Sequence, residues 1–375
     1  MNYETLRNLV KSHPKFEGCI NVSRAPLMHD GFPGTFNLSF TEYDWLREYG
    51  KFVDFDHDFS FSTIQSCIRP DDFANIFGIM DSWKYLGPFE IADLTGAINL
   101  SEKPDYKKLQ TWQINNLISF LKEVGIYPER IHPSYCAGGT VQELTDGRYN
   151  FNFFVPEDKI SKEAFLENGV PERNLIPDKT RDTFLSLHLQ RPTFWGYRTE
   201  VNSTRSYSDP ELVDIATTEY LPWRPVYLGN ENSMKNIVGL EESKSGSAIS
   251  ALGLERLCMV INEFPTVRDV DYISPVYDVF EEYIDKYSFE FEVEGLRALH
   301  RVFSDVNKYK ISPGRHQKAK LKDLFRKSKL NRFTKKALRE VLTMHSQTQP
   351  WHPELADGIE PTIERIERYK ISRHQ

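Results

Sequence analysis

Arg256 stands three residues after Gly253 in Ser250-Ala-Leu-Gly-Leu-Glu-Arg-Leu257, a spacing that suits phosphate binding. The run before it, Lys244 to Ser250, is mostly small and polar. The run after it, Leu257 to Ile261, is apolar and fits a buried helix. Gly253 therefore falls at a strand-to-helix junction and Arg256 in the first helical turn. A glycine there lets another group approach the backbone. An arginine in that turn can join the helix N-terminus in holding a phosphate. A buried turn with a surface arginine would use the same residues. A second arginine, Arg69, ends the apolar run Ile64-Gln-Ser-Cys-Ile-Arg69, and Gly87-Pro-Phe-Glu-Ile91 follows after a polar loop. A strand, a loop and a returning strand would bring Arg69 near Phe89 and Glu90. That trio offers a guanidinium for a phosphate, a ring for a base, and a carboxylate for an amino group or a metal. It could equally be an edge-strand charge beside a core phenylalanine. The stretches Phe194-Trp-Gly-Tyr-Arg-Thr-Glu200 and Glu219 to Asn230 place Trp195 and Trp223 on strands that could line a small pocket, or fill a core.

These residues need elements to position them. Alternation predicts strands over 54–69, 85–94, 149–155, 199–204 and 220–228. Helical spacing predicts helices over 3–10, 106–124, 208–215, 256–263 and 274–287. The clearest is 106–124, with Ile114, Leu117, Ile118 and Leu121 as an apolar stripe and Gly125 where a C-terminal cap belongs. Ser274-Pro275 reads as an N-cap and first helical residue. From Glu294 onward the pattern is helical, interrupted at Ser312-Pro-Gly314, and the tail after Trp351 ends in an amphipathic stretch. The strands lack the βαβ rhythm of a parallel sheet. An α+β fold with a largely antiparallel sheet flanked by helices is predicted.

A chain of 375 residues with 39% hydrophobic and 13% aromatic content can bury a sizeable core. No run approaches the roughly 18 apolar residues of a membrane helix, and Met1 to Lys15 holds no signal-like core. A soluble, cytoplasmic protein that uses no membrane is expected. Cys19, Cys67, Cys136 and Cys258 are far apart and form no zinc spacing, so reduced structural thiols are expected. Residues 308–339 hold thirteen Lys/Arg against one Asp, a local +12 in a chain of net −7, which leaves −19 on the rest. So dense a basic block suits a polyanion, or else a solvated helix face.

In this order and spacing the pieces resemble the catalytic core of alanyl-tRNA synthetases, a class II aminoacyl-tRNA synthetase family. Ile64 to Arg69, followed by Phe89-Glu90-Ile91, looks like that family's second motif. Gly253-Leu-Glu-Arg256 is identical to the core of its third. Thr199-Glu-Val201 and Trp223 to Leu228 look like two of its intervening strands, and 105–135 like the helix and strand after the second motif. Leu299 to Lys327 resembles the start of its helical tRNA-binding domain. The similarity covers about residues 1–340.

The resemblance implies a class II synthetase-like catalytic domain over 1–293 and a basic helical region over 294–375. It implies ATP and Mg²⁺ as partners, with Arg69 on the α-phosphate and the substrate carboxylate, Phe89 stacked on adenine, and Arg256 near the γ-phosphate. Gly253 would border the nucleotide. Glu90 and Glu200 would be weaker candidates for adenine or Mg²⁺ contacts. Trp195, Trp223, Arg224 and Ile249 would face the substrate acid, and Arg315, Lys318, Lys322, Arg326 and Lys327 the RNA.

Departures bear on the substrate. Ile249 stands where the family carries the Asp that anchors the amino group of alanine, Arg224 replaces its Asn, and Pro70-Asp-Asp-Phe-Ala-Asn75 replaces a Gly-Lys-His-Asn-Asp run. A buried ammonium without a carboxylate partner is costly. Either another anchor moves in, or the acid lacks a free amine there. A stand-alone core without the family's editing and C-terminal domains is expected. Three functions fit: activation of a small, alanine-like amino acid with transfer to tRNA; a tRNA-independent ligase that passes an acyl-adenylate to a carrier protein or small-molecule acceptor; or a non-enzymatic binding paralogue that recognises RNA or a nucleotide.

Overall fold

The computed structural model describes residues 1–13, 20–21, 23–28, 59–69, 75–76, 82–98, 105–186, 194–229, 234–243, 246–283 and 290–371. Among them one sheet runs β1 (Ile20–Asn21), β2 (Phe59–Ile68), β3 (Pro88–Ile98), β12 (Gly246–Gly253), β10 (Leu212–Tyr227), β9 (Trp195–Thr204), β4 (Ile131–Cys136), β7 (Ile176–Asp178). Off this path, β11 (Ile237–Glu242) pairs with β10 and β8 (Phe184–Ser186) with β9, while β5 (Gly139–Thr140) and β6 (Phe154–Val155) pair separately. Only β1–β2 and β4–β7 are parallel among these pairs. The architecture is α+β, with a central, mostly antiparallel sheet flanked by helices.

The helices are α1 (Tyr3–Ser12), α2 (Tyr106–Glu123), α3 (Val141–Leu144), α4 (Lys159–Glu167), α5 (Leu254–Asn262), α6 (Ser274–Glu281), α7 (Glu290–Tyr309), α8 (Arg315–Lys327), α9 (Lys335–Gln347) and α10 (Glu354–Ile371). Helix α2 starts where the Asp105 carboxylate accepts the Lys108 N–H at 2.9 Å. It ends at Gly125, whose φ of +93° only glycine adopts without strain. Its Ile114, Leu117, Ile118 and Leu121 are buried against the sheet.

Three local expectations need correction. Residues 208–215 are not a helix: bends lead to Pro210, and β10 begins at Leu212. Val213 and Ile215 are fully buried at period two, and that burial outweighs the helical reading. Ser274 is the first residue of α6 rather than its cap, and the cap position, Ile273, makes no side-chain capping bond. Of 149–155, only Phe154–Val155 is strand, and 54–58 and 284–289 lie outside the described residues.

Helix α7 runs through the anticipated boundary at 293/294. Its Val293, Leu296 and Leu299 share one buried cluster with Ile64 and Leu252 of the sheet and Leu257 of α5. The helices after it pack closely because two glycines leave room. A Cβ on Gly358 would lie 1.8 Å from Ser304 Oγ, and one on Gly295 would lie 1.9 Å from Ser328 Oγ. The sheet and the C-terminal helices therefore share one core. Cys67, Cys136 and Cys258 are buried within the fold, and Cys19 lies outside the described residues.

Candidate functional site

Opposed residues of antiparallel strands share a face, and neighbours along a strand alternate. The pairs Cys67–Phe89, Ile91–Gly253, Asp93–Ala251, Ala251–Thr217, Thr217–Glu200, Ile249–Glu219 and Glu219–Arg198 therefore mark out one face of the sheet, running from β2 to β9. Arg69 follows the last residue of β2, and its guanidinium lies 5.4 Å from the centroid of the Phe89 ring. Arg256, in the first turn of α5, donates from Nε to the Lys84 carbonyl at 3.1 Å and lies 5.4 Å from the Tyr85 ring centroid. Its Nη1 is clasped by the Asp214 carboxylate.

Glu200 lies on β9, one strand beyond Asp214 of β10. Burial pushes its carboxyl up to about 7; Asp214 and Glu219 push the same way, while Arg198 and Arg69 pull it down. Arg198 lies 3.7 Å from Glu200 and donates from Nε to Glu219 Oε1 at 2.7 Å. Arg69, Glu200, Asp214 and Arg256 thus form a chain of interacting charges. Gly253 has an ordinary extended backbone, with φ −78°. A Cβ there would meet nothing nearer than the Ile215 carbonyl at 3.9 Å. The protein itself does not require a glycine at that point, since a Cβ would fit there with only an ordinary contact.

Glu90 is not on this face. It points to the opposite side, where it accepts from Tyr3 Oη at 3.0 Å and Arg7 Nε at 2.9 Å, and pairs with His352 Nε2 at 2.7 Å. Its backbone N–H reaches both carboxylate oxygens of Glu255 at 3.0 Å. Burial raises its pKa, but His352 and Arg7 outweigh that and hold it well below the usual carboxylate range. Adjacent residues of a strand face opposite ways, so Phe89 and Glu90 have no common ligand.

Trp195 and Trp223 also leave the site. Trp195 is 0% exposed and packs edge-on to Tyr149 and Phe184, with Trp223 against Phe153 and Tyr197. Both belong to an aromatic cluster with Tyr197 and Tyr220, on the side of β9 away from Arg198 and Glu200. Arg224 is paired with Glu241 of β11 at 2.8 Å. Ile249 does lie on the site face, 1% exposed, in a small apolar cluster with Phe194 and Leu221. Most of the loop after Arg69 falls outside the described residues; Asn75 is exposed.

Reading the sequence missed Asp214 and gave Arg198 and Glu219 no role. Asp214 was hidden by the helical reading of 208–215, although Val213-Asp-Ile215 alternates. Arg198 and Glu219 sit inside stretches singled out for their tryptophans. Only the register of β9 on β10 pairs them.

Arg315, Lys318, Lys322, Arg326 and Lys327 are exposed along α8, whose Leu321, Leu324 and Phe325 are buried. Arg326 and Lys327 are engaged by Asp323. Among the described residues no helix is long and apolar enough to cross a membrane.

Among the described residues, no three His, Cys, Asp or Glu side chains are grouped to hold a metal by themselves. Magnesium commonly binds through one or two carboxylates and substrate phosphates. Glu200, whose carboxyl is pushed up to about 7 by burial with Asp214 and Glu219 adding to it, and Asp214 itself match that donor set.

The chain is 22% identical over 200 residues to the alanine–tRNA ligase of Candida albicans (strain SC5314 / ATCC MYA-2876), covering 49% of this chain and 18% of that protein. The match therefore spans less than a fifth of the relative's length. No protein-family model matches the chain. Among solved structures it is similar to apo histidyl-tRNA synthetase of S. aureus, with a TM-score of 0.41 and 9% identity over 76% of this chain and 77% of that one.

Proposed function

We propose that this chain is an ATP-dependent ligase of the class II aminoacyl-tRNA synthetase type. It would activate a small, alanine-like amino acid as its adenylate and transfer it to tRNA. The observation that carries the reading is that Arg69 lies over the Phe89 ring on one sheet face, while Asp214 of the same sheet holds Arg256, an arginine far from Arg69 in sequence. The sequence similarity to an alanine–tRNA ligase points the same way.

In the first step a carboxylate oxygen of the acid attacks the α-phosphorus of ATP. The bond to the β-phosphate breaks and pyrophosphate leaves. No side-chain nucleophile is needed, because positioning and charge neutralisation supply the acceleration. Arg69 holds the α-phosphate and the attacking carboxylate together. Phe89 stacks on adenine. Arg256 exchanges its clasp on Asp214 for the γ-phosphate, and Gly253 borders the nucleotide. In the second step a terminal hydroxyl of the RNA attacks the acyl carbon and AMP leaves.

Charge accounting supports a role for Mg²⁺. Arg69, Arg198 and Arg256 stand against Glu200, Asp214 and Glu219, with Asp93 a further carboxylate on the same face. Once phosphates claim Arg69 and Arg256, four carboxylates remain on a face where Arg198 is the cation still paired to them. Glu200 and Asp214 are the residues that would hold Mg²⁺, which would neutralise phosphate charge. The exposed basic row of α8 suits an RNA backbone.

The test is ATP–pyrophosphate exchange across a panel of amino acids and non-amino acids, followed by charging of total tRNA. Exchange with alanine or a similar acid, abolished by Arg256→Ala, is expected. Absence of exchange with every acid, or full exchange in that variant, would overturn the reading. Exchange without RNA charging would instead assign the acceptor to a carrier protein or small molecule.

A further inference from the structure

We infer that Glu219 is the anchor for the ammonium group of the activated acid, so that the substrate is an amino acid bound with its amine free; this rests on the adenylate-forming reading above. Glu219 is 3% exposed, in the middle of β10. Its Oε1 accepts from Arg198, while Oε2 is buried with no hydrogen-bond partner among the described residues. A buried carboxylate oxygen without a donor is expensive to maintain. Structures keep such an atom where a ligand completes it.

The surroundings specify the ligand. Arg198 is shared between Glu219 and Glu200, so the trio carries one net negative charge when both acids are ionised. One added cation balances it. Glu219 lies on the same face as Arg69 and Phe89, two strands in from β3. Its cross-strand neighbour is Ile249, which with Phe194 and Leu221 forms an apolar patch. A donor-bearing cation on a short aliphatic frame fits this combination. An ammonium offers three N–H donors, and the patch takes the carbon frame. Ile249 leaves its own position without a charge, and the carboxylate one strand over takes up the task.

The experiment compares two stable adenylate mimics by calorimetry on the full chain: alanyl-sulfamoyl adenosine and propionyl-sulfamoyl adenosine, which differ only in the amine. The wild type should bind the alanyl compound about 10- to 100-fold more tightly, as a charge-assisted hydrogen bond predicts. Glu219→Gln should abolish that preference while leaving the affinity for the propionyl compound unchanged. Equal binding of both mimics by the wild type would overturn the inference and leave adenylate formation standing. A preference that survives Glu219→Gln would do the same. Failure of the wild type to bind either mimic would overturn the adenylate-forming reading and this inference with it. The wild-type comparison needs no variant, so a Glu219→Gln protein that fails to fold does not shield the inference.

Discussion

Phe89 and Glu90 are consecutive, yet they belong to two different kinds of charged environment. Behind the sheet, Glu90 is closed in by Tyr3 and Arg7 of α1, by His352, and through its N–H by Glu255 of α5. Around it Glu354 binds His352 and Arg24, and Arg24 binds Asp305. In front of the sheet the charges are only partly matched. Glu219 keeps a buried oxygen without a donor among the described residues, Glu200 is shifted upward by burial, with Asp214 and Glu219 adding to it, and Arg256 is held by a residue a phosphate could displace. Dense pairing of buried charges fixes architecture, although Arg301 behind the sheet also keeps Nε and Nη1 without hydrogen-bond partners among the described residues. An incompletely paired carboxylate in front of the sheet is a candidate for a ligand.

The largest effect should come from breaking the closed side. Arg7→Ala would leave Glu90 short of a cation and is expected to cost about 3–5 kcal/mol of stability. Urea unfolding would measure it, and a loss below 1 kcal/mol would remove the contrast. On the open side, Arg256→Ala should lower pyrophosphate exchange roughly 100- to 1,000-fold, as loss of a charge-stabilising donor does. Its unfolding midpoint should stay close to that of the wild type.

The carboxyls should also separate by pH, though not by side, since Glu255 lies with Glu90 behind the sheet. Glu200 and Glu255 rise from 4.5 to about 7 in the folded state. The folded protein then binds more protons than the unfolded chain across that interval, so stability falls as pH rises from about 4.5 to 7. Glu90 and Glu354 are depressed. Their contribution is therefore present above the ordinary carboxylate pKa and lost as pH falls below it. Stability should peak near the bottom of the interval. Glu200→Gln should flatten part of the decline above it, and an unchanged slope would show that Glu200 titrates normally.

The smallest effect on the fold should come from α8. Lys318→Glu with Lys322→Glu is expected to change stability by less than about 0.5 kcal/mol. The same variant should weaken tRNA binding and reduce the salt slope of log K by roughly two. An unchanged slope would place RNA elsewhere.

Much of the frame was legible because it rests on local period and composition. The apolar stripe and Gly125 mark α2, the run ending at Ile68 marks β2, and Ser312-Pro-Gly314 marks the break before α8. The proximity of Arg69 to Phe89 and the place of Arg256 in the first turn of α5 were legible, because both follow from short local runs. The candidate site was illegible at Glu90, because a motif read as a string does not say which face each letter takes. Trp195 and Trp223 look alike in a pocket or a core until their neighbours Tyr149, Phe153 and Phe184 are placed. Asp214 and Glu219 gained meaning only when β10 proved to be one long strand, which aligns Glu219 with Arg198 and Ile249.

The sequence by itself determined the α+β class, the strand-to-helix junction at Gly253, and the charge imbalance between residues 308–339 and the rest. Those follow from spacing, side-chain type and count. Tertiary structure decided which charges meet: Asp214 with Arg256, Arg198 with Glu219, and Glu90 with His352 from the far end of the chain. Such pairings depend on register and on which side of a strand a residue falls. A shift of one residue in register reverses every face, so only the assembled sheet fixes them.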